Sequence, residues 1–230
     1  MERAYYDTDL RAVEAVVQMF EKGLEVSRIQ KAFSVGTMGM GRNRRLVPTR
    51  WSITAVDDII GKYLLGSVRN HEILDTFQVY HFEAFKNNFV IMLMPAPWQY
   101  EWMEAFIHVM GMEELIFSDR EGYHGKTEYS SVGGCYYAVK LAILEKLEQM
   151  KRQAGAVVFR EAYQGYIPTG VWLCREETRK ALAGQPAEFA DLNSALSYID
   201  SKIFLPMERF RAESMFLRQP AQQTRLMNFF

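Results

Sequence analysis

Apolar positions recur at helical spacing near the N-terminus and change to strand-like runs further on. Leu10, Val13, Val17 and Phe20 fall three or four apart behind Asp7 and Thr8, either of which can cap a helix, and Gly23 can end it. Ile29 and Phe33 share one face of a second, short helix, and a third is expected over about 55–66, burying Ile59, Ile60, Tyr63 and Leu64. Residues 77–82 are then β-branched and aromatic, 86–88 (Lys-Asn-Asn) signal a turn, and 89–94 are continuously apolar. This reads as a hairpin with one central strand covered on both faces. A short strand is expected at 115–117 and a long helix over about 136–153, with Tyr136, Val139, Ile143, Leu147 and Met150 inward. Strands at 156–159 and 171–174 flank a turn at 166–170, giving a second hairpin, and helices follow near 177–183, 188–199 and 206–217. The expected fold class is α+β, with mixed α/β as the alternative: a central sheet of a few strands flanked by N- and C-terminal helices. Residues 1–217 read as a single globular domain and 218–230 as a flexible tail.

Composition agrees with a packed protein. The 230 residues are 49% hydrophobic and 24% charged, enough for a full core. The longest apolar run is too short to span a bilayer and the N-terminus does not resemble a signal peptide, so no membrane partner and a cytoplasmic location are expected. Cys135 and Cys174 form no CxxC pair and the four histidines are scattered, so no metal motif and no cofactor are evident; free buried thiols are expected.

The net charge of −1 rules out global attraction to nucleic acid and leaves local clustering. Between Glu25 and Asp57 there is no acidic residue, while Arg28, Lys31, Arg42, Arg44, Arg45 and Arg50 all fall there. Residues 41–58, GRNRRLVPTRWSITAVDD, add Thr49, Ser52 and Thr54. Pro48 argues against a helix running through, so the hydroxyls are placed on a loop that enters a helix near Ala55. Hydroxyls, arginines and free N–H groups at a helix start make an anion site. The phosphate- or DNA-binding set is therefore Arg42, Arg44, Arg45, Thr49, Arg50, Ser52 and Thr54. The plainer reading has Thr54 capping the helix and Asp57 completing a capping box. The glycine-rich 34–41 stretch matches no nucleotide-loop pattern and reads as a connector. Trp98, Tyr100 and Trp102 either stack a base, fill a protein interface or pack in the core.

The tail ends RQPAQQTRLMNFF. Gln223, Leu226, Phe229 and Phe230 match the QxxhxxFF motif that binds the sliding clamp PCNA. One 3₁₀ turn puts Leu226 and Phe229 on the same side for a hydrophobic pocket, and Gln223 hydrogen-bonds at its edge. The polar residues before it form a tether that folds on binding.

RRLVPTRWSITAVDD, PAPWQYEWMEAF, GGCYYAVKLAILEKL, GVWLCREETRKAL and the last eight residues together resemble the Nre family of archaeal DNA-repair proteins. The resemblance covers nearly the whole chain and is to the later part of such a protein. Family members usually carry an additional N-terminal region, often with cysteines suited to zinc. The resemblance implies a DNA-repair pathway and supplies no catalytic residue.

Three functions follow as expectations. The first is a repair factor recruited by PCNA through the tail, with the basic loop on DNA phosphates. The alternative is a metal-dependent enzyme acting on DNA or a nucleotide, with Asp57 or Asp58 in its site beside the Arg42–Arg50 cluster, a divalent metal, and Tyr123, His124, Lys126 and Glu161 as acid–base groups if the fold gathers them. The third is a scaffold joining the clamp to another repair protein through the Trp98–Trp102 cluster.

Overall fold

In this computed structural model residues 1–109, 111, 113–168 and 170–217 are described. They divide into two compact units, each assembled from separated stretches of sequence. The first comprises Met1–Glu72, Thr127–Gln153 and Pro168–Leu182; the second comprises Ile73–Lys126, Ala154–Ile167 and the chain from Ala183 onward.

The first unit is helical: α1 (Glu2–Tyr6), α2 (Ala12–Glu21), α3 (Val26–Ser34), α4 (Thr49–Val68), α5 (Gly134–Met150) and α6 (Val171–Ala183), with a 3₁₀ turn at Gly41–Asn43. Its spine is α4 against α5, with α2 and α3 also packed on α4. Small residues permit the close approach. Gly61 of α4 meets the Lys140 and Leu144 side chains, and at Gly134 a Cβ would lie 2.7 Å from Val171 Cγ1 and 2.8 Å from Thr54 Oγ1.

Three expectations for this unit are corrected. Helix α4 begins at Thr49, not near Ala55, so Thr54 and Asp57 lie inside the helix and form no capping box. Pro48 sits at the N-cap, where its fixed φ suits a helix start and its missing N–H costs nothing. In α2 the buried side is Ala15, Val16 and Met19, while Val13 of the apolar series is exposed. Residues 171–174 are helical rather than a strand. Val-Trp-Leu-Cys reads locally as β, but Leu173, Cys174, Thr178, Ala181 and Leu182 continue a buried helical face through α6. Cys174 Sγ donates to Cys135 Sγ at 3.2 Å, both as free thiols.

The second unit is built on a six-stranded sheet: β1 (Phe77–Ala84), β2 (Asn87–Met94), β3 (Tyr100–Ile107), β4 (Glu114–Glu121), β5 (Gly155–Tyr163) and β6 (Ala187–Phe189), in the order β4-β3-β5-β2-β1-β6. Only β3 and β5 are parallel; the other neighbours are antiparallel. The β1–β2 hairpin turns on Phe85 and Lys86, both at positive φ, the backbone of a two-residue hairpin loop. The expected turn thus lies one residue earlier, and Asn87 and Asn88 belong to β2. Strand β2 is buried along its whole length, as expected of a central strand.

Alternate residues of these strands (Val90, Met92, Val157 and Phe159 among them) pack with Ala195, Leu196 and Ile199 of α7 (Leu192–Asp200) and Phe210 of α8 (Met207–Glu213). Strand β6 occupies the start of the helix expected over 188–199, because Asp191 caps α7 by accepting from Ser194 N–H at 3.0 Å. Trp98, Tyr100 and Trp102 are buried, with Trp98 Nε1 donating to Glu121. The aromatic cluster is core packing, which corrects both its stacking and its interface readings. Two short strands, Glu72–Ile73 and Arg152–Gln153, pair separately. The fold class is α+β, as expected.

Candidate functional site

The loop that leads into α4 divides its arginines between two tasks. Arg44 is turned inward onto backbone: its guanidinium donates to the carbonyls of Gly39 (2.7 Å), Tyr5 (2.6 Å), Asp7 (2.8 Å) and Ala4 (3.3 Å). The carbonyls at the end of a short helix lack intrahelical donors, and Arg44 supplies them. Arg42, Arg45 and Arg50 are exposed. Among the described residues none of these three has an acidic partner.

The hydroxyls also divide. Ser52 is buried and donates to the Thr49 carbonyl at 2.8 Å, and Thr54 donates to the Arg50 carbonyl at 3.2 Å. Both serve the helix itself. Thr49, at its first position, is exposed.

Beside these arginines lies aromatic surface. Arg50 stands 5.4 Å from the Trp51 ring centre, and Trp51 lies 5.9 Å from Tyr129, which is 5.5 Å from Tyr137. Trp51 and Tyr129 are 46% and 55% exposed, enough to leave ring surface open to a ligand. The sequence points to the tryptophan but not to Tyr129, which comes from a distant loop.

The same helical turn also borders a cavity of about 1040 Å³. Thr49 and Ser52 line it from α4, Phe20 from the end of α2, Leu24 from the α2–α3 connection, Gln30 from α3 and Trp172 and Arg175 from α6. Behind Gln30 and Arg175 sits Asp57, fully buried, whose Oδ1 accepts from Arg175 Nη1 at 2.6 Å and from Gln30 Nε2 at 2.8 Å. Its second oxygen, Oδ2, is buried with no hydrogen-bond partner. Burial pushes the Asp57 carboxyl up to about 7, and the attraction of Arg175 only partly offsets this. Arg175 Nε reaches Glu176, and Arg179 grips Glu145 through Nε (2.7 Å) and Nη2 (2.6 Å) and Glu176 through Nη1 (3.0 Å). Asp57 stands out in the sequence, but its partners do not. The Arg175–Arg179 spacing of one helical turn was the available signal, hidden by reading residues 171–174 as a strand.

Asp58 instead pairs with Lys62 at 2.7 Å. Of the remaining candidates, all in the second unit, Lys126 is held by Asp119 at 2.6 Å and Tyr123 packs edge-on against His124. Glu161 is fully buried and accepts from the Phe204 and Leu205 N–H groups and from Tyr163 Oη. It anchors the segment before α8. Among the described residues no three His, Cys, Asp or Glu side chains converge as metal ligands. No helix among them is long and apolar enough to cross a membrane. The clamp motif, Gln223, Leu226, Phe229 and Phe230, lies outside the described residues.

Comparison with known proteins places this chain. The family model described as archaeal Nre, N-terminal, matches residues 1–110, and that described as archaeal Nre, C-terminal, matches residues 121–229. The chain is 43% identical over 229 residues to DNA repair protein NreB of Archaeoglobus fulgidus, covering 97% of this chain and 58% of that protein. It is 36% identical over 218 residues to DNA repair protein NreA of Haloferax volcanii, covering 90% and 51%. With DNA repair protein NreA of Archaeoglobus fulgidus it shares 34% identity over 207 residues, covering 88% and 53%. The chain thus spans a little over half the length of these relatives. No solved structure matches it. Two models that together take in nearly every residue, and relatives aligned along almost the whole chain, establish that it belongs to the Nre family.

Proposed function

We propose that this chain is a DNA-repair factor that holds DNA on the Arg42–Trp51 surface and reaches the sliding clamp PCNA through its C-terminal residues. The observation that carries the DNA part is the exposure of Arg42, Arg45 and Arg50 beside the open rings of Trp51 and Tyr129. Arginines neutralise phosphates, and aromatic faces stack on unpaired bases of any identity. The relatives' names, DNA repair proteins NreA and NreB, support the pathway. The spacing of Gln223, Leu226, Phe229 and Phe230 supports the clamp.

Two titrations test the reading. Calorimetry of this chain into its cognate clamp should give micromolar binding or better that disappears when Phe229 and Phe230 are both changed to Ala. Anisotropy with single-stranded and duplex DNA should show affinity that falls with salt, and the Arg42→Ala/Arg45→Ala/Arg50→Ala variant should flatten that dependence. DNA affinity that is independent of salt sinks the phosphate surface; an intact chain that ignores the clamp sinks the recruitment.

One observation favours the second reading, an enzyme acting on DNA or a nucleotide. The Asp57 carboxyl, raised to about 7 just behind the cavity wall, is tuned for proton transfer near neutral pH. Turnover of DNA substrates with Mg²⁺ or Mn²⁺ that is lost in Asp57→Asn would establish it; the absence of any Asp57-dependent turnover counts against it.

A further inference from the structure

The cavity beside α4 has a chemistry distinct from that of the arginine loop. Its walls are apolar and partly aromatic, with Phe20, Leu24, Val26 and Trp172. Its two arginines are already matched: Arg179 is engaged by Glu145 and Glu176, and Arg175 by Asp57 and Glu176, while Lys31 is an exposed lining residue. A phosphate reaching Arg175 or Arg179 would displace carboxylates, so the wall they form does not suit an anion. It suits a flat, neutral body with a polar edge.

The polar edge has a counterpart at the back wall. Gln30 is 6% exposed and commits its Nε2 to Asp57 Oδ1 and, at 3.5 Å, to the Ile53 carbonyl. Its Oε1, an acceptor, has no partner among the described residues. Arg175 is 2% exposed and commits Nη1 to Asp57 and Nε to Glu176, leaving the Nη2 donor without a partner among the described residues. Both side chains bond the same Asp57 oxygen and both line the cavity, so its wall offers one acceptor and one donor on side chains that Asp57 holds in place. Every nucleobase offers an adjacent donor and acceptor on its Watson–Crick edge. A volume of about 1040 Å³ admits a base with its sugar.

We propose that this cavity receives a single nucleobase, read at its edge by Gln30 and Arg175 and flanked by Phe20 and Trp172. The source that fits the rest of the molecule is a base extruded from DNA held on the Arg50–Trp51 surface. Thr49 and Ser52 line the cavity while Arg50 and Trp51, in the same turn of α4, face outward. Unstacking costs least at mismatched or damaged positions, so such a pocket favours those sites. The choice of source rests on the DNA reading above; the pocket itself does not.

Photocrosslinking with the full chain tests this. One arm uses DNA carrying 5-iodo-2′-deoxyuridine at a mismatch, the other the free 5-iodouridine nucleoside, and adducts are mapped by mass spectrometry. The expected result is an adduct on Trp172 or Phe20 from the DNA probe. Adducts at those residues from the nucleoside alone support the pocket and assign its source to free nucleosides, against extrusion from DNA. Bound DNA with adducts only at Trp51 or Tyr129, together with no nucleoside adduct at Phe20 or Trp172, overturns the pocket and leaves the DNA-binding surface standing. No adduct at Phe20 or Trp172 from either probe also overturns it. Gln30→Leu should weaken nucleoside binding about tenfold, the loss of one well-placed hydrogen bond. Because Gln30 also supports Asp57, mapping on the unaltered chain decides the matter if that variant misfolds.

Discussion

Asp57 on α4 and Arg175 on α6, 118 residues apart in sequence, meet through a 2.6 Å hydrogen bond with both side chains almost wholly out of water. The pair links helices from distant stretches of the chain, and its stability depends on pH in a definite direction. Burial raises the Asp57 carboxyl from 3.8 to about 7, so the folded protein holds this proton more tightly than the unfolded chain. The stabilisation is complete below the unfolded value and is lost as pH rises through about 7. Urea unfolding should therefore show stability falling between pH 5 and pH 8, by an amount on the order of 3 kcal/mol. In Asp57→Asn that slope should flatten, since the amide keeps an acceptor and carries no proton to lose. A wild-type slope unchanged in the variant would remove Asp57 as its cause.

Arg175→Met should be costly at any pH in this range. It strips hydrogen bonds from Asp57 and Glu176 and leaves a buried carboxyl without its charged partner, only Gln30 still donating to it, a loss of about 3 kcal/mol measured by urea unfolding. A variant as stable as the parent would show that the pair is dispensable.

The arginines of residues 41–58 should separate into two classes. Arg44→Ala removes donors from four carbonyls and should destabilise the protein by about 1–3 kcal/mol. Arg42→Ala, Arg45→Ala and Arg50→Ala should leave the thermal midpoint unchanged. Each should instead lower the slope of log affinity for DNA against log salt, by about 0.9 for every duplex phosphate that is no longer neutralised. Equal behaviour of all four in both measurements would refute the division.

That division shows what the sequence could and could not reveal. The cluster was visible as a run of basic residues, but which arginine turns inward depends on where α1 ends, and no local pattern records that. The β1–β2 hairpin was legible because alternating and continuous apolar runs flank a turn. Residues 171–174 misled because four β-prone side chains outweighed, within a short window, the helical spacing of Leu173, Cys174, Thr178 and Leu182. Gln30, Glu145 and Arg179 were invisible as site residues, since each is an ordinary helix residue until the fold brings them together around a cavity.

Glycines in the α4–α5 spine should respond oppositely to the same change. Gly134→Ala places a methyl 2.7 Å from Val171 and 2.8 Å from Thr54, and should destabilise by about 1–3 kcal/mol. Gly61→Ala meets only flexible side-chain atoms at 3.6 Å and 3.8 Å, an ordinary van der Waals separation, and should stabilise by up to about 1 kcal/mol through helix propensity. Thermal melts of the two variants check this, and a loss at Gly61 equal to that at Gly134 would contradict it.

In the second unit, Glu161→Gln places an amide donor where the Phe204 and Leu205 N–H groups and the Tyr163 hydroxyl all donate. The expected cost is about 3 kcal/mol, and Tyr163→Phe should cost about 1 kcal/mol. Denaturant unfolding reads both, and a neutral Glu161→Gln would refute the anchoring role.

Strand β5 comes from the later half of the chain, yet it is inserted between β2 and β3 of the earlier half. The two family segments, 1–110 and 121–229, are therefore not two foldable pieces. A recombinant fragment ending near residue 110 would lack both β4 and β5, leaving β2 with one bare hydrogen-bonding edge and β3 with two, a template for self-association. Co-expressed as a split pair, the halves would have to complement one another by strand insertion, so any inactivating break between them acts on the whole sheet rather than on one end of the protein.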